Sequence, residues 1–165
     1  MCSLVDIKLV NKVSDELKKQ KVTIATAESC TGGLLAHTLT NISGSSEYFD
    51  RGVVSYSNKS KQDLLGVSNQ LIAQYGAVSK EVAENMANGI RQTAMVQYAI
   101  ATTGIAGPTG GTKEKPVGLV YIAIATKDRV YVKDFLFSGS RLTNKENTVT
   151  AALEFLLKIL TQRQS

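Results

Sequence analysis

The stretch with the clearest chemical potential is Ala25-Thr-Ala-Glu-Ser-Cys-Thr-Gly-Gly33, where a serine and a cysteine stand side by side ahead of two glycines. Ser29 could attack a carbonyl carbon, but a hydroxyl is a weak nucleophile until a base takes its proton. The chain has a single histidine, His37, one or two helical turns beyond Ser29, so the sequence does not supply a Ser-His-Asp triad. His37 reads instead as a surface or packing residue. Lysine is the remaining base, and Tyr56-Ser-Asn-Lys-Ser-Lys61 offers two of them beside a phenol. A lysine with the ordinary pKa of about 10.4 is neutral in less than about one molecule in a thousand at pH 7. Lowering that value by about three units takes about 4 kcal/mol of differential stabilisation, which partial burial away from carboxylates can provide. The working lysine should therefore be the less exposed of Lys59 and Lys61. Left in solvent, both are ordinary surface charges.

Other readings of the same residues stay open. Cys30 competes with Ser29 as nucleophile, yet without a paired histidine it reads first as a small buried filler. On spacing alone Ser29 and Thr31 read as helix caps, with Gly32 and Gly33 permitting close packing. A helix beginning near Thr31 would turn its free N–H groups and positive dipole end toward whatever Ser29 holds, an arrangement suited to a phosphate or an oxyanion.

A second loop, Gly104-Ile-Ala-Gly-Pro-Thr-Gly-Gly-Thr112, is followed by Lys113 and Lys115. Its glycines would let backbone amides approach an anion closely, although a flexible turn explains them equally well. It ends in no glycine-lysine-serine/threonine and lacks the dinucleotide fingerprint. One histidine and dispersed carboxylates give no metal-ligand spacing, so neither a metal nor a cofactor is expected.

These residues need elements to hold them. Leu4, Ile7, Val10, Val13 and Leu17 recur at helical spacing. Lys21 to Thr26 reads as a buried strand, so Ser29 falls on a strand-to-helix turn, the helix continuing through Leu34, Leu35 and Leu39. Gly52 to Tyr56 is a second strand, followed by a short helix capped at Gly66 that puts Lys61 near an element boundary. Asn69 to Tyr75 is a further helix stopped by Gly76, and Ser79 caps one carrying Val82, Met86 and Ile90. Tyr98 to Thr103 is a strand that runs into the glycine loop. Val117 to Thr126 and Arg129 to Phe137 form a hairpin about Lys127-Asp128. Thr143-Asn-Lys-Glu146 reads as a capping box for a last helix with Val149, Leu153, Leu156, Leu157 and Leu160 inward. The order α, β, α, β, α, α, α, β, β, β, α predicts a three-layer α/β/α domain with a mixed sheet that includes a C-terminal β-hairpin. Both glycine-bearing loops follow strands and could meet in one crevice at the carboxyl ends.

At 165 residues, 43% of them hydrophobic, the chain suits one domain spanning residues 1–165. The net charge of +5 is scattered and accompanied by no reader motif, so no nucleic-acid partner is expected, and an anionic small molecule fits the sign as well. Cys2 and Cys30 form no disulfide or zinc pattern. The N-terminal segment is broken by Asp6, Lys8 and Lys12 and no apolar run approaches spanning length, so the expectation is a cytoplasmic protein with no membrane partner.

The motifs also resemble a known family, the C-terminal domain of the competence/damage-inducible protein CinA with its stand-alone nicotinamide mononucleotide deamidases. The resemblance covers nearly the whole chain. It rests on Thr26-Ala-Glu-Ser-Cys-Thr-Gly-Gly33, Gly44-Ser-Ser46 with Tyr48-Phe49, Gly52 to Asn58, Gly76-Ala-Val-Ser79, Gly104-Ile-Ala-Gly-Pro108 and Lys115-Pro-Val-Gly118. It implies metal-independent hydrolysis of the carboxamide of nicotinamide mononucleotide to nicotinic acid mononucleotide and ammonia, within pyridine nucleotide salvage. The implied catalytic residues are Ser29, Lys61 and Tyr56. Cys30, Thr31, Gly32, Gly33, Ser46, Gly104, Ile105, Ala106, Gly107 and Arg141 are implied on the substrate side, the amides near Cys30 and Thr31 as oxyanion donors and the Gly104 to Gly111 loop holding the ribose phosphate or the nicotinamide end. A homo-oligomer is implied as well. One departure is that Lys145 stands where the family often has a second arginine four residues after Arg141, which puts a point charge in place of a bidentate fork. A nucleotide-binding module of the same fold without turnover is the competing reading.

Overall fold

The structure, a computed structural model, describes residues 5–162; Cys2 and Leu4 lie outside them. The described elements are α1 (Ile7–Gln20), β1 (Ile24–Glu28), α2 (Leu34–Thr40), a 3-10 turn (Ser45–Glu47), β2 (Phe49–Val54), α3 (Asn58–Leu65), α4 (Asn69–Tyr75), α5 (Lys80–Ala94), β3 (Tyr98–Gly104), β4 (Leu119–Ala125), β5 (Val130–Leu136) and α6 (Arg141–Gln162). Their order is the expected one, and they build a mixed five-stranded sheet with helices on both faces.

The sheet order is β2-β1-β3-β4-β5. β1 runs parallel to both neighbours, while β3–β4 and β4–β5 are antiparallel, the last pair being the expected hairpin. Because the chain leaves β1 for β2 on one side and then returns past β1 to β3 on the other, the carboxyl end of β1 is a topological switch point, where a crevice opens.

Strand alternation sorts the core into two layers of different character. Ile24, Tyr98, Ile100, Val120, Ile122 and Ile124 face α1, α2 and α6 and pack with Leu17, Leu35, Leu153 and Leu156. On the opposite face Ala25, Ala27, Ala99, Ala101, Ala123 and Ala125 meet α5 through Val82, Met86, Ala87 and Ile90. Alanines on the sheet let α5 approach closely, and the larger aliphatic residues fill the wider gap on the other side. Among the described residues no helix is long and apolar enough to cross a membrane.

Several boundaries depart from the sequence expectation. β1 extends to Glu28, and β2 starts at Phe49 and stops at Val54. α1 begins at Ile7 behind the Asp6 cap, and Ile7 is exposed because the buried stripe runs through Val10, Val13, Ser14 and Leu17. α6 begins at Arg141, one turn earlier than expected. Ser140, not Thr143, caps it: the Ser140 hydroxyl accepts from the Thr143 amide at 3.2 Å and the Ser140 carbonyl from the Asn144 amide at 2.8 Å. Lys61 lies inside α3 and not at its edge.

Candidate active site

Ser29 sits on the turn that leaves β1, its amide donating to the Thr102 carbonyl of the neighbouring β3 at 2.9 Å. The Ser55 amide, just past β2, donates to the Glu28 carbonyl at 2.8 Å, so the ends of all three parallel strands are tied together. Ser57 then caps α3 with a capping box, and the second turn of that helix sends Lys61 back across the end of β1. Lys61 is 1% exposed, and its Nζ lies 3.0 Å from Ser29 Oγ, 2.8 Å from the Ser55 carbonyl and 3.4 Å from the Tyr56 carbonyl. Among the described residues no carboxylate forms an ion pair with it. Burial therefore pushes the Lys61 amine below the ordinary lysine range, while the neighbouring Cys30 opposes that shift. Lys59 is the contrast: its side chain is 82% exposed and paired with Asp63 at 2.7 Å.

The three polar neighbours of Nζ suit either protonation state. An ammonium has three N–H groups for Ser29 Oγ and the two carbonyls; a neutral amine keeps two for the carbonyls and turns its lone pair to the Ser29 hydroxyl proton. This geometry can move a proton between Ser29 and Lys61 without leaving a buried group unpaired.

Cys30 is buried, and its thiol is pushed up to about 12, chiefly by desolvation. About one such thiol in a hundred thousand would be ionised at pH 7. It is a poor rival to Ser29.

The residue that sequence reasoning missed is Glu28. Its side chain, 1% exposed, accepts from Thr31 Oγ1 at 2.6 Å and from the amides of Gly33, Leu35 and Ala36 at 3.1, 3.0 and 2.8 Å. Thr31 Oγ1 in turn meets Thr102 Oγ1 at 2.8 Å. This corrects the expectation of an open helix end. α2 starts at Leu34, Gly33 stands at its cap with φ of 97°, and the amides that might have held a substrate anion already hold a carboxylate of the chain itself. The available donors lie elsewhere. Among the described residues no backbone carbonyl accepts from the amides of Cys30 or Thr31, nor from those of Ala106, Gly107, Thr109, Gly110 and Gly111.

A cavity of about 270 Å³ joins these parts. It is lined by Ser29, Cys30, Tyr56, Lys61, Gly104, Ile105, Ala106, Gly107 and Arg141 from the expected set, and by Ala77, Val78, Thr103, Thr109 and Gly110 besides. Thr31, Gly32, Gly33 and Ser46 do not line it. Thr31 is buried against Glu28, and Ser46 lies in the 3-10 turn that precedes β2, at the opposite end of the sheet. The Tyr56 phenol makes no hydrogen bond to Lys61; it accepts from Arg141 Nη2 at 2.6 Å while Arg141 Nη1 donates to the Gly107 carbonyl at 2.9 Å. Asn144, fully buried on α6, steadies the same loop by donating to the Ala106 carbonyl at 3.0 Å. Gly107 is required there, since its φ of 84° lies in the left-handed region and an added Cβ would run into the Val117 side chain. Lys145 does not line the cavity; its Nζ lies 3.4 Å from where a Cβ on Gly32 would stand. His37 is exposed and its ring meets Asn41 at 3.0 Å, away from Ser29. Among the described residues no group of three or more His, Cys, Asp or Glu side chains gathers as a metal site would require.

The chain is similar to several known proteins. The family model for the CinA C-terminal domain matches residues 6–160. A competence-damage inducible protein of Thermoanaerobacter pseudethanolicus is 52% identical over 144 residues, 87% of this chain and 35% of the relative. A CinA-like protein of Chloroherpeton thalassium is 48% identical over 159 residues, 94% of this chain and 38% of the relative. The chain thus spans little more than a third of the length of these relatives. Among solved structures, the competence/damage inducible protein CihA of Agrobacterium tumefaciens superposes with a TM-score of 0.92 at 39% identity, covering 97% of this chain and 99% of that one. The competence damage-inducible protein A of Klebsiella pneumoniae gives 0.91 at 34% identity, covering 93% and 96%.

Proposed function

The chain belongs to the CinA C-terminal domain family, and from that premise we propose that residues 1–165 form one metal-independent amidohydrolase domain that converts nicotinamide mononucleotide to nicotinic acid mononucleotide and ammonia. The observation that carries this reading is the buried Lys61 amine, 3.0 Å from Ser29 Oγ and, among the described residues, paired with no carboxylate.

Neutral Lys61 takes the Ser29 proton as Oγ attacks the carboxamide carbon. The oxyanion that forms is met at the cavity wall by the backbone amide of Cys30. Lys61 returns its proton to the amide nitrogen, the C–N bond breaks, ammonia leaves and an ester to Ser29 remains. Water, deprotonated by Lys61 in turn, attacks that ester and regenerates the serine with release of the acid. Tyr56 contributes through its backbone carbonyl, which orients Nζ, and through the phenol, which holds Arg141 over the cavity. The amides of Ala106, Gly107, Thr109 and Gly110, which meet no backbone carbonyl among the described residues, hold the ribose phosphate together with Arg141. Glu28 supports the role of this loop, because the competing anion site at α2 is filled.

Ammonia release from nicotinamide mononucleotide tests the reading. Wild-type protein should release it, and Ser29→Ala and Lys61→Ala should each lower kcat by about a thousandfold or more. Binding without release would identify a nucleotide-binding module in place of an enzyme.

A further inference from the structure

Lys115 follows the glycine loop in sequence, and its ammonium has partners of its own. Nζ donates to the Tyr75 carbonyl at 2.6 Å and to the Val78 carbonyl at 2.7 Å. These carbonyls flank the α4–α5 turn, whose Ala77 and Val78 form an apolar wall of the cavity. The same turn is held from β3, where Thr103 Oγ1 donates to the Ala77 carbonyl at 2.7 Å. Gly76 makes room for the lysine, since a Cβ there would stand 2.9 Å from Nζ.

At its other end Lys115 is fixed within the glycine loop. Its amide donates to Thr112 Oγ1 at 3.0 Å and its carbonyl accepts from the Thr112 amide at 2.8 Å. The loop is closed at its neck by Ile105 donating to Leu119 at 2.9 Å and Gly118 to Ile105 at 2.7 Å. Lys115 therefore joins the two walls of the cavity, the amide-bearing loop on one side and the apolar turn on the other. Among the described residues no carboxylate pairs with it.

We propose that Lys115 is a positioning residue that fastens the α4–α5 turn to the glycine loop and so sets the width of the cavity for the substrate's uncharged part, without touching the substrate phosphate. The role rests on the amidase reading. It leaves Ser29 and Lys61 undisturbed, because neither lies on the turn or the loop that Lys115 joins.

Lys115→Met should raise KM for nicotinamide mononucleotide at least tenfold and lower kcat less than threefold. The relative loss in kcat/KM should be the same for nicotinamide riboside, which lacks the phosphate. A loss confined to the phosphorylated compound would overturn the proposal by making Lys115 an anion ligand, and an unchanged KM would overturn it by leaving only a structural contact. Amide hydrogen exchange reads the fastening without any substrate. In Lys115→Met, residues 76–79 and 104–112 should exchange at least tenfold faster together while β1 keeps its protection; unchanged exchange in these segments contradicts the proposal even if the wild-type protein releases no ammonia.

Discussion

At the scale of single residues the account turns on Lys61 being neutral when Ser29 reacts. Its pKa is lowered by burial, so the fraction in the basic form rises with pH and reaches half at a pH below about 10.4, the ordinary lysine value. The expected profile of kcat/KM has an acid limb that falls as pH drops through the Lys61 value, placed below that of a free lysine. Stability has the same sign. Between the folded value and the unfolded one the unfolded chain binds more protons, so stability rises with pH across that window and is lower by a constant amount beneath it. Lys61→Met should remove this component from urea unfolding measured as a function of pH. Cys30→Ala should keep kcat within about threefold of wild type, because a thiol raised to about 12 is not the nucleophile; a loss matching that of Ser29→Ala would assign the chemistry to the cysteine. The residue types were legible in the sequence, down to the rule that the less exposed lysine should serve. Which lysine that is depends on a contact across 32 positions, and no local pattern reports it.

At the scale of elements the instructive residue is Glu28. With the strand read as Lys21 to Thr26, Glu28 reads as part of the loop beyond it, ahead of the helix expected near Thr31. The carboxylate instead stays in the strand and faces α2, where three amides and a threonine hydroxyl receive it. The signal that could have exposed it is parity: Ile24, Thr26 and Glu28 share one face of β1, the face α2 must cover. Glu28→Ala would orphan those donors inside the protein, with an expected loss of about 3 kcal/mol or more in urea unfolding. A change under about 1 kcal/mol would mean that water replaces the carboxylate. The shift of α6 to a Ser140 cap has a similar origin. Two cap signals three residues apart compete, and the one that lets Arg141 reach Gly107 and Asn144 reach Ala106 prevails.

At the scale of the whole molecule, alternating periodicities were enough to read the element order, the hairpin and the helices on both faces. The strand order was not legible, because the same sequence of elements could have placed β2 on either side of β1. That order decides the chemistry. Putting β2 beside β1, with β3 on its other flank, brings the start of α3 over the end of β1, and α5 closing on the alanine face completes the enclosure that strips water from Lys61. The fold thus serves to hold one amine away from water and from carboxylates beside one hydroxyl. The measurement that addresses this most directly is an NMR titration of the Lys61 side chain, followed at 13Cε in the intact protein and assigned with Lys61→Arg. The account predicts that Lys61 titrates well below the other lysines and that its signal is absent from the variant; a Lys61 that titrates with the surface lysines near about 10.4 would contradict it.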